Sequence, residues 1–179
     1  MIFAEVPKFI DQNEIENYLP HRGKMLLLSR ITGYDIEKRI ITGEYDITKE
    51  CIFYEKEGDG IPSWVSFELM AQTVCALTGI DHKLFGKRIL PGMILSVTSF
   101  KTKRDWFKVG ETVRMTMTED YREEQSMLYN YVGELFTIES SKEPVVTAKI
   151  STIEIESLEQ LRKRYFDLRM QFASQIISL

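Results

Sequence analysis

The chain has 179 residues, 44% of them hydrophobic and 28% charged, with a net charge of −4. That length suits one domain with a sizeable core, and the acidic balance argues against a general nucleic-acid binder or a protein held on an anionic membrane surface. No run of about 18 apolar residues occurs, so no membrane span is expected. The N-terminus, Met-Ile-Phe-Ala-Glu-Val-Pro-Lys, carries an early acid and no long apolar run, unlike a secretory leader, and the cytoplasm is the expected compartment.

In chain order, residues 13–19 are expected to form a short helix, capped by Asp11 or Asn13 and ended by Pro20. Residues 25–34 and 39–46 read as two strands joined by a turn at 35–38. Residues 50–61, Glu-Cys-Ile-Phe-Tyr-Glu-Lys-Glu-Gly-Asp-Gly-Ile, form a charged, glycine-bearing loop. After a helix at 62–79, strands are expected at about 91–104, 111–121, 126–139 and 144–155. In one of them Val113, Met115 and Met117 alternate with Arg114, Thr116 and Thr118, the pattern of a half-buried strand. Cys51 and Cys75 have neither metal-ligand spacing nor a disulfide framework, so no metal and no cofactor are expected. Lys101, Lys103 and Arg104 make a small basic cluster, read as a solvated face or a docking point for an acidic partner.

The segment 62–79, Pro-Ser-Trp-Val-Ser-Phe-Glu-Leu-Met-Ala-Gln-Thr-Val-Cys-Ala-Leu-Thr-Gly, is the most informative. It is apolar nearly all round, as buried helices are, with Ser63 as the expected cap and Gly79 as the expected stop. Glu68 and Gln72 lie four residues apart on one face of it. A carboxylate there is costly unless it is paired, protonated or facing a cavity, and burial tunes such a group toward general acid work. A structural ion pair is the alternative. Cys75, three residues after Gln72, either packs or lines the same pocket. A long antiparallel sheet with one apolar helix is an α+β arrangement, and a curved sheet wrapped around the helix would bury all its sides. A last segment, 157–179, places Leu158, Leu161, Tyr165, Leu168 and Phe172 on one seam. The expected division is a domain at 1–156 and a C-terminal amphipathic helix at 157–179, packed on the domain or across a subunit boundary.

Asn-Glu-Ile-Glu-Asn-Tyr-Leu-Pro-His-Arg at 13–22, followed by Met-Leu-Leu-Leu-Ser-Arg at 25–30, resembles the start of the 3-hydroxyacyl-[acyl-carrier-protein] dehydratases of fatty-acid synthesis. Glu-Leu-Met-Ala-Gln at 68–72 resembles their core-helix motif, and Trp64-Val65 is similar to the branch associated with aryl-polyene synthesis. The resemblance implies a hotdog fold, a dimer with sheets joined edge to edge, and dehydration of a 3-hydroxyacyl thioester to a trans-2-enoyl thioester carried by acyl-carrier protein. It implies that Glu68 is the helix acid and that Ser63 supplies the backbone N–H for the thioester oxygen. Trp64 and Gln72 join Ser63 on the substrate side.

One departure from that pattern bears on function. The family draws its catalytic histidine from the loop before the helix, where this chain has Tyr54. The only histidines are His21 and His82. His82 is expected to be exposed and inert, which leaves His21 as the candidate base, with Tyr54 the weaker one. Three functions follow: a dehydratase using His21 and Glu68, a non-catalytic acyl or acyl-carrier-protein binding subunit, homodimeric or paired with a related hotdog chain, or a hotdog thioesterase.

Overall fold

The computed structural model describes residues 5–139, 142–157, 159 and 162. Strands β1 (Arg30–Asp35) and β2 (Ile40–Asp46) form an antiparallel hairpin. A short β3 (Gly60–Pro62) leads into helix α1 (Ser66–Leu84). Then follow β4 (Gly92–Thr102), the short β5 (Trp106–Lys108), β6 (Thr112–Glu123), β7 (Leu128–Thr137) and β8 (Val146–Glu154). Six strands make one antiparallel sheet in the order β1-β2-β6-β7-β8-β4, while β3 pairs with β5. This is the α+β layout expected from the sequence, with α1 lying on the inner face of the sheet.

Alternation in the strands decides which face holds the helix. Val113, Met115 and Met117 are buried, and the residues between them are only half-buried. On α1, Leu69, Met70, Val74, Leu77 and Ile80 are at most 2% exposed. Each such side chain stabilises the fold by about 2 kcal/mol through burial. The outer face is polar: Arg30 bonds Glu44 and Asp46, and Arg114 bonds Glu44.

Several expected boundaries move. Residues 25–28 do not join the sheet, which begins where the Ser29 N–H is given to the Glu44 carbonyl. A 3-10 turn at Gly23–Met25 begins at a left-handed Gly23, and the Leu27 N–H is given to the Gln72 side chain rather than to a neighbouring strand. The expected helix at 13–19 shrinks to a 3-10 turn at Ile15–Asn17, and Asp11 Oδ1 accepts the N–H groups of Asn13 and Glu14. Ser63 is not the cap of α1. It opens a 3-10 turn, Ser63–Val65, and its carbonyl accepts the Ser66 hydroxyl. Nor does Gly79 stop the helix, which runs on to Leu84. A Cβ at Gly79 would stand 1.6 Å from the Tyr18 carbonyl oxygen, so glycine is needed where the N-terminal segment crosses α1. The basic cluster is partly neutralised, since Lys103 pairs with Glu143 and Arg104 with Glu111. The C-terminal seam at 157–179 lies almost wholly outside the described residues.

Strand β4 is an edge of the large sheet. Its Met93, Leu95 and Val97, at alternate positions, are each more than a third exposed. An apolar edge strand is a surface that invites pairing.

Candidate active site

Two segments distant in sequence meet at the start of α1. His21 comes from the chain crossing the helix, Glu68 from the first turns of α1, and His21 Nε2 lies 3.8 Å from Glu68 Oε1. The side chains keep 24% and 20% of their exposure. Both line a cavity of about 250 Å³. Its other walls come from one stripe of α1, Ala71, Val74, Cys75 and Thr78, from the start of β4, Gly92–Ile94, and from the end of β8, Thr152–Glu154.

Gln72 sets this geometry without lining the cavity. It is fully buried. Its Nε2 donates to Glu68 Oε1 at 2.9 Å and to the Met25 carbonyl at 2.8 Å, and its Oε1 accepts the Leu27 N–H at 3.0 Å. One amide thus fixes the rotamer of the carboxylate and ties the strand-like 25–27 segment, just past His21, to α1. Every one of these bonds is made within the chain, to residues other than those lining the cavity save Glu68.

Electrostatics favour a neutral His21. Burial is the largest influence and pushes its pKa below 6.5; Glu68 opposes this and Arg22 adds to it. A neutral imidazole is the form that takes a proton. Its Nδ1 is buried with no hydrogen-bond partner among the described residues. Burial, with Glu68 and Glu154 nearby, pushes the Cys75 thiol up to about 12. Cys75 is therefore a protonated wall of the cavity, not a nucleophile.

The remaining expected site residues lie elsewhere. The Ser63 N–H is already donated to the Asp105 carbonyl at 2.8 Å, in the join of β3 to β5, so it is not free to meet a thioester oxygen. Trp64 is 46% exposed and stacks edge-on against Phe53, away from the cavity lining. Tyr54 donates to Asp59 Oδ1, and that bond is the main reason its pKa is raised; it is a worse base than an ordinary tyrosine. His82, expected to be exposed, is instead nearly buried at 12% and lies 3.5 Å from Glu154 Oε2. Sequence reasoning missed Glu154 altogether; its one signal was an acid at a core-facing position of a strand. Among the described residues no cluster of His, Cys, Asp or Glu could hold a metal ion, and no helix is long and apolar enough to cross a membrane.

The profile of the ApeP-like family, described as ApeP dehydratase, matches residues 13–163. The chain belongs to the ApeP-like dehydratase family. This ApeP-like chain is also similar to the 3-hydroxyacyl-[acyl-carrier-protein] dehydratase FabZ of Protochlamydia amoebophila, 27% identical over 108 residues, which are 51% of this chain and 70% of that protein. The FabZ of Clostridium botulinum is 27% identical over 113 residues, 54% of this chain and 78% of that one. Among solved structures, the dehydratase heterocomplex ApeI:P from Xenorhabdus doucetiae superposes with a TM-score of 0.73 at 20% identity, covering 83% of this chain and 95% of that one. An HP0420 homologue from Helicobacter felis gives 0.58 at 11% identity, over 87% and 95% of the two chains. These likenesses agree with the wrapped-helix architecture, and the fold is a hotdog.

Proposed function

We propose that this ApeP-like chain is a 3-hydroxyacyl-thioester dehydratase that forms a trans-2-enoyl thioester on acyl-carrier protein. The observation that carries the reading is the approach of His21 to Glu68 at the polar end of an apolar cavity. In the step proposed, neutral His21 Nε2 takes the α proton, the C2–C3 double bond forms and the C3–O bond breaks. Glu68 in its acid form gives a proton to the departing hydroxyl, which leaves as water. The imidazolium then gives its proton up to water and the carboxylate takes one from water, which restores both groups. Gln72 bonds Glu68 Oε1, which leaves Oε2 as the oxygen to carry the transferable proton. No part in the step is assigned to Ser63 or Trp64.

The assembly proposed with this function is a pair of hotdog chains joined along β4, either two copies or this chain with a related subunit. The exposed Met93, Leu95 and Val97 support it, as does the likeness to the dehydratase heterocomplex ApeI:P. Residues 92–94 of β4 also form the lip of the cavity, so a partner on that edge would close the site.

One observation favours a second reading, a non-catalytic binding subunit. The loop before α1 offers Tyr54, half-buried and bonded to Asp59, where the family resemblance places a histidine. Mass spectrometry of a 3-hydroxyacyl-carrier-protein thioester incubated with wild type, Glu68→Gln and His21→Ala separates the readings. Loss of water with wild type, abolished by both substitutions, is expected. An intact thioester with wild type would favour the binding subunit, free acid would favour a thioesterase, and water loss that survives His21→Ala would overturn the assignment of the base.

A further inference from the structure

The cavity has a second polar end that the proposed chemistry leaves unused. Along β8 the buried, core-facing positions run Val146, Ala148, Ile150, Thr152, Glu154. The row changes from apolar to charged as it reaches the last turns of α1. Glu154 is only 7% exposed. Its Oε2 accepts the Tyr129 hydroxyl at 3.2 Å and lies 3.5 Å from His82 Nε2. Its Oε1 is buried with no partner among the described residues. Glu154 also forms the wall between the 250 Å³ cavity and an adjoining polar cavity of about 710 Å³, lined by His82, Arg88, Arg122 and Tyr129 among others.

Between the two carboxylates the cavity is mostly apolar. Its α1 stripe is Glu68, Ala71, Cys75, Thr78, at spacings of three, four and three residues that keep one face. Ten residues of α-helix span about 15 Å. An extended carbon chain advances about 1.2 Å per bond, so roughly twelve carbons cover the length of the α1 stripe from Glu68 to Thr78, beside which Glu154 lines the same cavity. Shorter alkyl chains would meet chiefly Ala71, Val74, Cys75, Met93, Ile94 and Ile153. A longer one would press its methyl end against a buried carboxylate oxygen that has no donor among the described residues and would shut out any water serving it, an unfavourable contact.

We propose that Glu154, held by Tyr129 and His82, is a specificity-determining residue that sets an upper length for unsubstituted acyl chains in this cavity. This rests on the acyl-thioester reading of the site, and it concerns chain length alone. It names a substrate class: saturated or unsaturated acyl groups of short to medium length, those that just reach the far end being favoured when they carry a hydrogen-bond donor for Oε1.

The test is calorimetric binding of non-hydrolysable acyl-pantetheine thioethers, hexanoyl to hexadecanoyl, to the full chain. It requires no turnover. Affinity is expected to rise about fourfold per added methylene up to about decanoyl, then to fall at least tenfold by hexadecanoyl. Glu154→Leu should move the optimum to longer chains and improve hexadecanoyl binding about tenfold. An ω-hydroxydodecanoyl thioether, whose hydroxyl falls at the far end, should bind wild type at least tenfold better than tetradecanoyl does, a comparison that needs no variant to fold. An optimum unmoved by Glu154→Leu, or no preference for the ω-hydroxyl, would overturn this proposal while leaving the acyl site standing. Binding of no chain at all would overturn the acyl reading itself and this proposal with it.

Discussion

Replacing Gln72 by leucine should unfasten the site and the N-terminal crossing together. Gln72 is fully buried and makes three bonds, to Glu68, Met25 and Leu27. Leu27 is 3% exposed, so its N–H would be left buried without an acceptor, at a cost of about 1–3 kcal/mol. The bond to Glu68 Oε1 is partly solvated, and its loss costs about 1–1.5 kcal/mol. Met25 is 42% exposed, so its carbonyl can turn to water at little cost. Leucine regains about 1 kcal/mol from its apolar surface. The net loss is about 3 kcal/mol, or roughly 6–12 °C in Tm for a domain of this size. Thermal and urea unfolding of wild type and Gln72→Leu, followed by circular dichroism, would measure it. A Tm within about 2 °C of wild type would refute the reasoning, because it would mean that the 25–27 segment is held by something other than this amide.

Other consequences are as direct. Because burial lowers the His21 pKa, the unfolded chain binds a proton more readily than the folded one. The contribution of His21 to stability is therefore complete above about 6.5 and is lost as pH falls through the lower folded value. Activity that needs the neutral imidazole should rise with pH along a limb whose midpoint lies below about 6.5; a pH–rate profile with its limb above that value would contradict the assignment. Gly79→Ala forces a Cβ against the Tyr18 carbonyl oxygen, and a loss of about 1–3 kcal/mol is expected despite alanine's better helix propensity. Denaturant unfolding at unchanged midpoint would show that the crossing yields freely. Leu95→Lys, on the exposed face of β4, should shift the sedimentation mass toward a single chain, whereas an unchanged mass would place the subunit contact elsewhere.

Much of the architecture was written in local pattern. The period-two burial of Val113, Met115 and Met117 and the nearly continuous apolar run of residues 66–80 follow from side-chain chemistry at fixed strand and helix spacings. Those spacings sufficed for an antiparallel sheet around one buried helix, and Glu68 stood out because an acid in such a helix needs a reason. The short-range signals were read less well. Ser63 and Gly79 have the chemistry of a cap and a stop, yet Ser63 is drawn into the β3–β5 join and Gly79 is occupied by a chain crossing. Both contacts come from residues far away in sequence.

The sequence by itself determined the kinds of residue available to the site: two histidines, a helix carboxylate with a glutamine one turn on, and no histidine in the loop at 50–61. Only the tertiary structure decided which of them meet. It set His21 beside Glu68 across 46 intervening positions, turned Gln72 inward to brace Glu68 and the 25–27 segment, and brought His82 against a Glu154 that no local pattern marked. Spacing along a helix or strand fixes the face on which a residue sits, whereas the neighbour it faces depends on how the curved sheet and the crossing N-terminal segment close over that helix.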